Sequence, residues 1–223
     1  MWKAKKSKRQ EQTEIDMIVH EIEQVQKELK IDKLPSPWLP PLKELIHQDD
    51  AVCDDPMKIP IAMVDEPELQ KQSPYYYEMI KDGNIAIFGS AGYGKSTTAL
   101  LILLSMARNF SPEEIHYYIL DFGNGALLPL ASLAHTADVF TVDDHRKIEK
   151  FLKRIRLEMA SRKKVLQKKQ VNTIQMYNQI AEKQLPLLFI TIENFDFIKE
   201  ELPDIEMILN QYVRDGQSLG IYF

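Results

Sequence analysis

The run Gly89-Ser90-Ala91-Gly92-Tyr93-Gly94-Lys95-Ser96 has the residue types and spacing of a phosphate cradle, G-x-x-x-x-G-K-[ST]. Its glycines let the chain turn so that backbone N–H groups face a β-phosphate. A helix starting there adds the partial positive charge of its N-terminus. In that geometry Lys95 reaches the β- and γ-phosphates, and the Ser96 hydroxyl helps hold Mg²⁺. The chemistry implied is binding of a nucleoside triphosphate. Hydrolysis asks for more: an apolar strand ending in an acidic residue that orients the metal, often followed by a Glu that activates water. The candidate is Leu187–Ile192, followed by Glu193 and Asn194. Glu193 can complete the metal shell, although its extra methylene displaces the carboxylate by roughly one bond length. Asn194 cannot act as a base, because an amide takes no proton near neutral pH. Asp196 lies two residues further on. The residues therefore predict binding without fast turnover, and positioning alone stays open as a route because a general base usually supplies only about 10²–10⁴-fold.

No other chemistry competes. His20, His47, His116, His135 and His145 are scattered, none at metal-ligand spacing, and Cys53 is the single cysteine. That excludes an intramolecular disulfide and argues against a zinc site. No G-x-S-x-G elbow occurs. The 223 residues suit one α/β domain with an N-terminal extension, or two small units. A net charge of −5 gives no general pull toward nucleic acid or an anionic membrane, although local patches remain open. No uncharged apolar run has the length of a membrane span, and the N-terminus lacks a signal-like apolar core. The expectation is a soluble, intracellular chain.

The cradle needs a strand before it and a helix after it. Ile85–Phe88 reads as the strand and Thr97–Asn109 as the helix. Further back, Met1–Arg9 is a basic leader, read as solvated. From Thr13, the residues Ile15, Ile18, Val19, Ile22, Val25 and Leu29 form one apolar helical stripe that predicts burial. Four prolines within Pro35–Pro41 break it into an extended connector, with Trp38, Leu39 and Leu42 expected as anchors. Ile59–Val64 predicts a strand and Asp65–Pro67 a turn. Ser73–Tyr77 is read as a loop or short element, and its three tyrosines mostly as packing rather than as an adenine platform. Lys81–Asn84 is read as a turn. Ile115–Phe122 and Ala137–Val142 predict strands. A long helix follows, capped by Asp143 or Asp144 and carrying Ile148, Phe151, Leu152, Ile155, Met159 and Leu166 at helical spacing. Its distal Arg162, Lys163, Lys164, Lys168 and Lys169 are read as a solvated face, with a phosphate-contacting patch as the alternative. Pro203–Arg214 predicts a last helix, and the chain stops at Phe223 as a further strand opens. Strands alternating with helices predict a mostly parallel sheet.

Together these segments resemble the FtsK/SpoIIIE-type ATPases, and more narrowly the EssC-type motors of Gram-positive type VII secretion. The resemblance is carried by Leu34–Leu42 with its Trp-Leu-Pro-Pro-Leu core, Ile59–Pro67, the phosphate loop with Tyr93, Tyr118–Gly125 and Phe189–Asp196. It implies a RecA-like P-loop fold of the additional-strand class, mostly parallel and flanked by helices, and C-terminally incomplete. The boundaries implied are a leader and linker helix over 1–33, a Pro-rich connector over 34–58, and the ATPase domain over 59–223. The missing strand would lie between the phosphate-loop strand and the Glu193 strand, and its loss would leave two edges unpaired. The resemblance is to the last of several ATPase modules on a long polypeptide. It implies ATP and Mg²⁺ as ligands, with Gly89–Thr97 on the phosphates and metal. Ser96 and Glu193 then take the metal place, and Asn194 stands where an active member has its Glu. The implied partners are neighbouring ATPase modules and secreted proteins, at the cytoplasmic face of a membrane reached only through the parent assembly. Two other readings stay open: a DNA translocase module, and a nucleotide-gated module that binds substrate without turnover.

Overall fold

The computed structural model describes residues 13–32, 34, 36, 38–47, 51 and 53–223. The chain divides into two units, 1–41 with 66–71, and 42–65 with 72–223. The basic leader lies outside the described residues.

In the first unit, α1 spans Glu14–Glu28. Thr13 and Asp16 form a reciprocal capping box: Asp16 N donates to Thr13 Oγ1 at 3.2 Å, and Thr13 N donates to Asp16 Oδ2 at 3.0 Å. The predicted stripe forms, but no residue of α1 is buried. The cap and the charged complement of the helix, rather than burial, accompany its formation. In the connector Leu39 N donates to Gln70 Oε1 at 3.0 Å. Trp38 and Leu39 are exposed, and of the three expected anchors only Leu42 is partly buried.

β1 (Lys58–Glu66) and β2 (Lys71–Glu78), which lie in the second unit except at Glu66 and Lys71, pair as a two-stranded sheet; the 3₁₀ turn Pro67–Leu69 belongs to the first unit. Of the two readings left open for Ser73–Tyr77, it is the short element that forms, as part of β2, and Tyr77 is buried with its hydroxyl donating to Gly83 O. A short α2 (Met79–Asp82) follows where a turn is expected. Then come α3 (Lys95–Asn109), β3 (Ile115–Asp121), β4 (Thr136–Phe140) and α4 (His145–Lys169). The chain continues through α5 (Ile174–Ile180), β5 (Leu187–Glu193), α6 (Phe195–Glu201), α7 (Pro203–Gly216) and β6 (Ile221–Tyr222).

Strands β4, β3, β5 and β6 lie in that order, and every neighbouring pair is parallel. Alternation along the strands feeds two cores. Ile115, Tyr117, Ile119 and Phe189 pack with Ile102, Leu103 and Met106 of α3 and with Ile59 and Tyr77 of the hairpin. Leu120, Leu188 and Ile190 face the other way, into Ile148, Leu152 and Ile155 of α4 and Leu209 of α7. Helices therefore cover both faces, as a parallel sheet requires.

Two expectations are corrected. Ile85–Phe88 belongs to no strand, and Phe88 is 91% exposed. An apolar run becomes a strand only beside a partner. Here β6 is two residues long, and just past it Ile85 N donates to Phe223 O and Phe223 N to Asn84 Oδ1, both at 2.9 Å. Arg162 is not part of a solvated face: it is 1% exposed. Its guanidinium donates to Glu158 Oε1 (2.8 Å), Leu219 O (2.7 Å) and Pro186 O (2.7 Å). Its planar fork satisfies carbonyls beside the starts of β5 and β6, where a lysine has no matching geometry.

Candidate nucleotide site

The phosphate loop leaves the Ile85–Phe88 segment at Gly89 and ends where α3 begins, at Lys95, two residues earlier than the periodicity predicts. Gly92 (φ 82°) and Gly94 (φ 81°) are left-handed, a backbone that glycine takes without penalty. Gly94 is the N-cap and supplies no side-chain hydrogen bond, so no side chain of the cap residue closes the first turn of α3. Lys95 Nζ sits inside the curl of the loop, donating to Gly89 O at 2.8 Å and Ser90 O at 3.0 Å. Thr98 Oγ1 donates to Gly94 O at 3.0 Å and ties the helix to the loop. Tyr93 is exposed at the loop tip, and Ala91 and Thr97 are exposed as well.

Across from the loop, β3 and β5 end together, with Asp121 opposite Glu193 in register. Both carboxylates stand at the carboxyl ends of parallel strands, where ligands bind in open α/β sheets. Ser96 Oγ donates to Glu193 Oε1 at 2.7 Å, bringing the two predicted metal-site residues together from 97 positions apart. Two hard oxygen donors side by side suit Mg²⁺, which binds through one or two protein oxygens plus phosphates and water. Two residues before Glu193, Thr191 has a buried hydroxyl with no hydrogen-bond partner. The residues present fit the metal: Ser96 and Glu193 would hold it, and Gly89–Thr97 the phosphates.

Asn194 is left-handed (φ 61°), and its Nδ2 donates to Phe122 O at 3.1 Å. Asp196 is exposed and pairs with Lys199 at 3.6 Å. Neither supplies a carboxylate base beside Glu193. Sequence reasoning missed Asp121, which is 4% exposed. Its Oδ1 accepts from Gly123 N (3.1 Å) and Gly125 N (3.3 Å), and its Oδ2 from Leu127 N (3.1 Å). The signal was an Asp-x-Gly-x-Gly at the end of an apolar strand. Among the described residues no cluster of three or more His, Cys, Asp or Glu side chains is placed to hold a metal.

The FtsK/SpoIIIE family model matches residues 45–215. The chain belongs to the FtsK/SpoIIIE family. It is 53% identical to the ESX secretion system protein EccC of Geobacillus thermodenitrificans over 98% of this chain and 15% of that one. It is also 53% identical to the ESX secretion system protein YukB of Bacillus subtilis, over 97% of this chain and 14% of that protein. The chain thus spans about one seventh of the length of these FtsK/SpoIIIE relatives. A solved structure of EssC (ATPases 2 and 3) from Geobacillus thermodenitrificans superposes with a TM-score of 0.78 at 53% identity, over 82% of this chain and 36% of that one. The α/β P-loop fold expected for the FtsK/SpoIIIE family is the fold of this chain. Among the described residues no helix is long and apolar enough to cross a membrane.

Proposed function

We propose that this chain is an ATP-binding module of a type VII protein secretion motor, binding ATP with Mg²⁺ and hydrolysing it slowly or not at all. The observation that carries this reading is the Ser96–Glu193 contact at 2.7 Å beside a loop closed by Lys95, with an amide at position 194. Mg²⁺ would supply charge neutralisation between the β- and γ-phosphates. Backbone N–H groups of the loop and the start of α3 bind the phosphates, and Lys95 exchanges its loop carbonyls for phosphate oxygens. Glu193 orients Ser96, and the Asn194 amide cannot withdraw a proton from water. The domain proposed runs over 59–223, after a leader and linker helix (1–33) and a connector (34–58). Its proposed neighbours are other ATPase modules of the same motor, its cargo secreted proteins, and its place the cytoplasmic face of the membrane. The test is equilibrium binding of a fluorescent ATP analogue with Mg²⁺, alongside phosphate release. Micromolar binding lost in Lys95→Ala, with turnover near background, supports the reading. Binding unchanged by Lys95→Ala contradicts it.

One observation favours a second reading, the DNA translocase module. Helix α4 carries eleven Lys and Arg against two Glu, and Arg146, Lys150, Arg154, Lys164 and Lys168 are all exposed. Duplex binding that weakens steeply with salt would support it. Anisotropy of a labelled duplex that does not change at low salt excludes it.

A further inference from the structure

Asp121 and Glu193 face each other across β3 and β5 but do different work. Glu193 turns outward to Ser96, while Asp121 spends both oxygens on the backbone N–H groups of Gly123, Gly125 and Leu127. The loop after β3 is therefore wound around a buried carboxylate. The winding has a consequence at Gly123. A Cβ placed there would stand 2.9 Å from Glu193 Cγ and 3.6 Å from Glu193 Oε1. The Glu193 side chain thus rests on a bare backbone face that exists because Asp121 holds it. Two further bonds lock the same seam: Phe122 N donates to Glu193 O at 3.2 Å, and Asn194 Nδ2 to Phe122 O at 3.1 Å.

We propose that Asp121 is a positioning residue for the Mg²⁺–nucleotide site, acting through Gly123 on the rotamer of Glu193. The proposal rests on the reading of Ser96 and Glu193 as the metal place. In this proposal Asp121 acts at one remove: it is 4% exposed, and both of its oxygens accept N–H groups of the loop. Groups one shell out from a metal typically change its affinity about 10–100-fold when altered.

The test uses the full chain and a fluorescent ATP analogue, titrated with Mg²⁺ and separately in its absence, with a thermal melt of each variant. Gly123→Ala meets Asp121 Oδ1 at 3.6 Å, an ordinary van der Waals contact, and its close approach is to Glu193 Cγ at 2.9 Å. The Mg²⁺ concentration at half-effect should rise about tenfold, while Mg²⁺-free affinity stays within about twofold and the melt is near wild type. Asp121→Asn should move the Mg²⁺ requirement the same way, at a lower melting temperature. Wild-type Mg²⁺ dependence in a folded Asp121→Asn overturns the role of Asp121; if that variant does not fold, Gly123→Ala decides through the Glu193 contact that the loop around Asp121 sets. In a Glu193→Ala background, Gly123→Ala should add nothing, since the group it collides with is gone. Wild-type Mg²⁺ dependence in Gly123→Ala, or an equal loss with and without the metal, overturns the proposal. Failure of the wild-type chain to bind the analogue at all would instead sink the nucleotide reading beneath it.

Discussion

Gly92 and Gly94 show how much of the site is backbone conformation rather than side-chain contact. Nothing lies within 4 Å of a Cβ built at either position. Gly94→Ala therefore meets no clash, and its cost is the left-handed φ alone, about 1–2 kcal/mol. The expected outcome is an ATP analogue bound several-fold more weakly by a protein whose urea midpoint moves modestly. A fall in stability with no change in binding would mean that the loop need not keep this shape. Glu193→Gln keeps the size of the side chain and removes its charge. It should spare Mg²⁺-free nucleotide binding and abolish the increment that Mg²⁺ adds, read by the same titration. The phosphate loop was legible because Gly, Lys and Ser at fixed offsets have few other uses. Asp121 was legible as the end of a strand before Gly123 and Gly125, but not as the acceptor of three N–H groups, which only the folded loop brings to it.

Elements with a strong period were legible, and those that depend on a neighbour were not. The apolar positions of α4 recur over 25 residues, and all six that the periodicity singles out are buried. Helices α5 and α6, seven residues each, are too short to show a period, and both went unread. Ile85–Phe88 has strand composition, but pairing is not written in composition. Arg162 sits in a basic run, so its burial was invisible until the carbonyls of Pro186 and Leu219 arrived from elsewhere in the chain. Removing it leaves both carbonyls unsatisfied and Glu158 without its partner. Arg162→Ala should cost about 3 kcal/mol in urea unfolding, and Arg162→Lys should recover little of it. A loss under about 1 kcal/mol would mean that water replaces the fork. At the start of α4, the Thr141 backbone N–H and then its hydroxyl hold the Asp144 carboxyl below its ordinary 3.8. A depressed value stabilises the fold above the unfolded pKa, and the contribution is lost as pH falls through the folded one. Asp144→Asn should therefore flatten the stability profile below about pH 4 and leave its acid limb shallower, as followed by urea midpoints.

At the scale of the molecule, the sheet is well covered on its faces, with Ile221 and Tyr222 of β6 fully buried. Phe88 is 91% exposed beside backbone that no strand pairs with among the described residues. Unpaired edges with an aromatic beside them invite association between copies. Phe88→Ser should reduce concentration-dependent scattering while changing stability by no more than about 0.5 kcal/mol. A large destabilisation would show that the ring packs somewhere after all. Asn194 has a consequence for any carboxylate introduced at its position. An asparagine accepts a left-handed φ more readily than most side chains, and here its amide also closes a bond to Phe122 O at 3.1 Å. A glutamate arriving at position 194 by mutation would meet a backbone that disfavours it by about 1–2 kcal/mol and would strip that carbonyl of its donor. A carboxylate at position 194 would therefore need the turn after β5 to be rebuilt around it, with another donor supplied to Phe122 O.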